Sequence, residues 1–207
     1  MKPEIFYRLS QTPVMGGLYD IQSPLLEANA SWMSGAAHNF VVKLPLTILL
    51  IDDFGTRLPD IFDTGALVMS SQLLSVLRKA GVDNIDSYPV VLTDPVRKVI
   101  FPDYHAVQVL GCIRAADMDH SDYFDPVGYG QMIDFQRLVI DQEAARGALM
   151  FRLHESVATL IVHASVKAEL DKTSWSFVTV CSTEEIPLPL ILDDEDDVTI
   201  DTDDDSI

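Results

Sequence analysis

The 207-residue chain predicts an α+β fold: a mixed, mainly antiparallel sheet with a few short helices. Three observations lead there. Short apolar runs bounded by Gly, Pro, Asp and Ser recur along the chain, as strands separated by turns do. Helical spacing is confined to two brief stretches. One pattern, a strand, a serine, a short helix and a strand, occurs twice, at residues 65–93 and 160–180. Hydrophobic residues make up 48% of the chain, enough to fill the core of one domain of this size.

Residues 1–43 are punctuated by Gly, Ser, Asn and Pro. They predict an irregular segment, with one or two short strands, that packs on the main domain at 44–192. The opening MKPEIFYRLSQTP lacks the apolar stretch of a signal peptide, and no run approaches the roughly 18 apolar residues of a membrane span. A cytoplasmic protein with no membrane contact is the expectation.

Within the main domain, Leu46–Ile51 reads as a strand and Asp52-Asp53-Phe54-Gly55 as a turn. Ala66–Met69 is a strand that meets Ser70 and Ser71, either of which can cap a following helix. Leu73, Val76, Leu77 and Ala80 then share one helical face, and Gly81 sits where a helix ends. Tyr88–Leu92 returns as a strand, with Pro89 marking a start or an edge. After a turn at Asp94-Pro95, Tyr104–Ile113 reads as one long strand and Arg114–Asp125 as a polar, acid-rich loop. Phe135–Asp141 and Ala148–Leu153 are further strands. Leu160–Val162 then leads through Ser165 into a short helix, Val166–Lys172, and a closing strand, Trp175–Val180. Cys112 and Cys181 lie in apolar surroundings and read as buried, reduced thiols.

Charge is the strongest global signal. Fourteen basic residues face thirty-two acidic ones, for a net −18. Nine of the acids crowd into residues 193–207 with no Lys or Arg, so this acidic C-terminal tail reads as solvated. The remainder is still acidic. Such a surface disfavours a phosphate backbone, because no counterions are released on binding. It favours a basic protein partner, whose complementary potential speeds encounter.

Motifs for chemistry are sparse. The cluster Asp117-Met118-Asp119-His120-Ser121-Asp122 resembles a calcium loop at three positions. It fails where the sharp-turn glycine (here Asp122) and the bidentate glutamate (here Gly128) belong. No two histidines have metal-ligand spacing, and no nucleophile elbow, phosphate loop or dinucleotide fingerprint is present. Neither an enzyme nor a cofactor or metal is expected.

The ordered landmarks do match a known pattern. They are Pro59-Asp60, the strand ending in Ser70 before helix Gln72–Ala80, Tyr88-Pro89-Val90, Tyr104 opening a strand to Ile113, Asp117 and Ser121, Leu149-Met150-Phe151-Arg152-Leu153, and Ile161-Val162 with its short helix. Over roughly residues 59–180 this order resembles immunity protein family eleven of bacterial polymorphic toxin systems. The resemblance implies a cytoplasmic protein that binds and blocks a cognate toxin encoded beside it, with no catalysis. Asp117, Asp119, His120, Asp122, Tyr123 and Phe124 are the candidate partner contacts, and Trp32 is a further aromatic anchor. Two other readings stand beside this one: a metal-dependent hydrolase built on the Asp117–Asp122 loop, and an acidic scaffold that recruits a basic partner.

Overall fold

The computed structural model describes residues 5–24, 31–53, 55–126, 128 and 132–192. Phe54 and the acidic tail lie outside the described residues. The chain opens with β1 (Phe6–Gln11), β2 (Gly17–Leu18), β3 (Asp20–Ile21), β4 (Leu46–Ile51), β5 (Gly55–Arg57) and β6 (Ile61–Phe62). Next, β7 (Leu67–Ser70) runs straight into α1 (Ser71–Lys79), before the long strands β8 (Ile85–Asp94) and β9 (Val99–Val109). There follow β10 (Cys112–Ile113), β11 (Asp122–Phe124), β12 (Asp134–Arg137), β13 (Met150–Leu153) and β14 (Ser156–His163). The described part ends with α2 (Ala164–Leu170) and β15 (Val178–Ser182).

Two sheets dominate. One has the order β3-β4-β8-β9-β7-β6, the other β10-β13-β14-β1-β15. Their pairings are antiparallel except β4 with β8 and β10 with β13. The α+β class expected from the sequence is what forms. A contiguous strand–helix–strand unit is not. β9 lies between β7 and β8, and β1 lies between β14 and β15, antiparallel to both neighbours each time. Each helix therefore bridges two strands held apart by a third.

The inserted strand β1 also changes how the N-terminal segment is understood. Phe6 and Leu9, three residues apart and so on opposite faces, are buried in different cores, and the stretch fills an interior strand position. Part of the first 43 residues, β1, is thus built into a sheet. Trp32, expected as an aromatic anchor for a partner, is buried beside Tyr88 and His38, and its indole N–H donates to the Pro24 carbonyl.

α1 forms where its periodicity puts it. The Ser70 hydroxyl accepts the Leu73 N–H at 3.2 Å, Arg78 and Lys79 complement the helix dipole in the last turn, and Gly81 at φ 93° releases the chain. Leu73, Leu74 and Leu77 pack between the two sheets with Met69, Val107, Met150, Leu160 and Val162. α2 adds Val166 and Leu170 to the same layer. Its cap is His163, whose Nδ1 accepts the Ser165 N–H, so the histidine does the work expected of Ser165.

The long strand expected at Tyr104–Ile113 is two. Gly111, at φ 138°, turns the chain out of the first sheet after Val109, and Cys112–Ile113 pair in the second sheet with β13. Asn84 ties this crossing together, donating to the Leu110 carbonyl at 2.8 Å and the Met150 carbonyl at 2.9 Å. Cys112 and Cys181 are not joined in a disulfide and are only half-buried. Arg152 is buried, donates to the Val157 carbonyl, and is pulled down to about 10 by that burial.

A polar node fastens the far end of the first sheet. Asp94 accepts from the Tyr19 hydroxyl at 2.6 Å, from the Val96 and Arg97 N–H groups at 2.8 Å, and from the Arg97 guanidinium at 3.0 Å. Arg97 also reaches Asp52 at 2.8 Å. The Tyr19 bond, then the Arg97 contacts, hold the Asp94 carboxyl well below the usual range. A folded value below the unfolded one means that this contribution is complete above about pH 4 and is lost as pH falls. Asp94→Asn should therefore lower the melting temperature at pH 7 by more than at pH 3, in thermal melts of both proteins. Leu77→Ala, at a fully buried site, should cost about 2–5 kcal/mol in denaturant unfolding.

Candidate functional site

The acid-rich loop at 114–125 becomes a hairpin anchored on the second sheet. Its root is buried: Ala115, Ile133, Phe135 and Leu138 join Phe6, Phe151, Leu153 and Ile161 in a core on the outer face of that sheet. The backbone closes around this root, with Asp117 N–H donating to the Val139 carbonyl and Asp141 N–H to the Ala115 carbonyl. The Ser121 hydroxyl, itself buried, accepts the Val139 N–H at 2.9 Å.

From this root β11 and β12 pair, with Asp122 opposite Arg137, Tyr123 opposite Phe135 and Phe124 opposite Asp134. A register shift between Asp122 and Tyr123 re-aims the aromatics. Tyr123 leans on Phe135 at a ring-centroid distance of 6.0 Å, and Phe124 projects with 63% of its surface exposed. Met132 is exposed nearby in the chain, bridging Ser156 through its backbone.

The six candidate residues divide by partner. The Asp117 carboxylate meets His120 Nδ1 at 2.9 Å, and this bond, with the histidine's proximity, lowers the Asp117 pKa. Asp122 takes the Arg137 Nε–H at 2.8 Å. Asp119 and His120 are exposed at the tip of the turn. The hairpin therefore gathers all six along one short stretch, two carboxylates already engaged and two aromatic rings turned to solvent.

Arg137 is the residue that sequence reading missed. It holds Asp122, donates to the His120 carbonyl at 2.6 Å, and lies 3.6 Å from Glu184. One guanidinium thus pins the turn, the strand and the segment after β15. Nothing local in FQRLVID signals this, because its partners lie fifteen or more residues away. Among the described residues no three His, Cys, Asp or Glu side chains converge on a point that a metal ion could occupy. No described helix is long and apolar enough to cross a membrane.

The sequence model of the Immunity protein family (Imm11) matches residues 50–180, well over half of the chain. The chain belongs to the Imm11 family. Among curated proteins none matches it. The matched region of this Imm11 protein holds both helices, most strands of both sheets and the whole hairpin. It leaves out β1, on which the second sheet depends.

Arg137→Ala should loosen the hairpin without unfolding the domain. Amide exchange in residues 117–124 should speed at least tenfold while exchange in β8 and β9 stays unchanged.

Proposed function

We propose that the protein is an immunity protein that neutralises a cognate toxin by binding and occluding it. Family membership carries this reading. We take the toxin to be a protein with a basic surface, met in the cytoplasm of the cell that makes both, and we assign no catalysis, cofactor, nucleic-acid or membrane contact to the complex. Residues 44–192 are the binding domain in this reading. Within residues 1–43, β1 and β3 complete its sheets, and the acidic stretch 193–207 adds negative charge.

Two features of the hairpin support a contact role. Its aspartates, Asp117, Asp119, Asp122, Asp125 and Asp134, outnumber its two arginines, Arg114 and Arg137, so its field attracts a basic surface. Tyr123 and Phe124 supply rigid aromatic area, the kind that dominates interface energies when buried by a partner. Charge then sets the rate of encounter and the rings set residence time. The engagement of Asp117 with His120 and of Asp122 with Arg137 fits a shaped surface better than a hydrolytic centre.

The purified protein should bind the toxin encoded beside it and protect cells that express that toxin. Failure of both would end the proposal. Tyr123→Ala with Phe124→Ala should raise the dissociation rate at least tenfold in surface-based kinetics. Association should slow several-fold between low and physiological salt, where charges are screened beyond about 8 Å.

A further inference from the structure

The two faces of the six-stranded sheet are covered unequally. On one face Ile21, Ile48, Leu50, Val90, Leu92, Tyr104 and Ala106 are buried in a core with Tyr19 and Trp32. On the other face α1 covers β7 and the Val107–Val109 end of β9, and there the helix stops. Its border is visible at His105, which pairs with Met69 on one side and Pro89 on the other and meets the Ser71 hydroxyl at 3.3 Å.

Beyond that border the face lies open. Register puts Thr47 beside Val91, Leu49 beside Thr93, and Thr93 beside Ile100, all on the side opposite the sealed core. Leu49 is 47% exposed and Ile100 61%. With Pro89 these residues form a strip with no charged side chain, on a protein in which 22% of residues are charged. Exposed Asp103, in the irregular stretch of β9, and exposed Asp53, just past β4, flank it. An uncharged strip of aliphatic and threonine side chains between carboxylates suits a partner with an apolar face and basic flanks.

Size decides what fits. Three strands about 4.8 Å apart and about five residues long give a patch of roughly 15 by 16 Å, or about 240 Å². Two copies pairing through it would bury about 500 Å² in total, well under the roughly 1,000 Å² that a specific dimer needs. One helix, about 10–12 Å across and three turns long, matches its footprint. Such a helix would lie beside α1 and finish the helical layer on this face.

We infer that the open strip formed by Thr47, Leu49, Pro89, Val91, Thr93 and Ile100 receives an amphipathic helix of the toxin, with an aliphatic stripe against the sheet and Lys or Arg on its flanks toward Asp53 and Asp103. This rests on the immunity reading and adds an apolar anchor to it, separate from the hairpin.

The test is a binding titration of the neighbouring toxin with wild-type protein, with Leu49→Asp/Ile100→Asp, and with Thr47→Arg alone. All three residues are exposed, so the melting temperatures should agree within a few degrees. Affinity should fall at least tenfold in the double variant and several-fold in Thr47→Arg. Wild-type affinity in both folded variants overturns the site and leaves the immunity reading standing. No binding by the wild-type protein overturns both. A wild-type dimer in sedimentation that the double variant dissociates assigns the strip to a second copy, and also overturns this inference.

Discussion

The structure depends on one apolar layer. Leu73, Leu74 and Leu77 of α1, with Val166 and Leu170 of α2, sit where two sheets would otherwise face water. Neither helix is long enough to be stable alone, at nine and seven residues. Each holds its shape because its buried side chains are shared with strands from both sheets. The sheets in turn need the helices, since β14 and β7 bring Leu160, Val162 and Met69 to the same layer. The hairpin inherits this order at one remove. Its root packs on the outer face of the second sheet through Phe135, Phe151 and Ile161, so a rigid inner layer gives a rigid platform for exposed residues outside.

What was legible in the sequence was local. Leu46–Ile51 is a strand by its own composition, and the span from Ser70 to Gly81 carries a cap, a face and a stop within a dozen residues. Short-range chemistry settles such elements, so they can be read without a fold. The family landmarks were legible too, because their order survives in one dimension.

What was not legible depends on distance. One apolar run from Tyr104 to Ile113 hides a change of sheet, since only Gly111 and the amide of Asn84 register it. His163 takes a capping role that propensity assigns to a serine, because its ring nitrogen sits within reach of the Ser165 N–H. The hairpin's aromatics and acids were found, while Arg137 was not. A side chain that binds across a hairpin is invisible until the register of the hairpin is known. Likewise, the open strip on the first sheet is spread over three strands, and no window of sequence contains it.

The position of β1 has a consequence for how the protein comes into being. Arg8 pairs with Ile161 on one side and Cys181 on the other, so β1 has no partner until β14 and β15 have been made. Pairing over such a span makes folding slow relative to a chain of local contacts. A chain cut short before β14 would leave β1 without either of its neighbours.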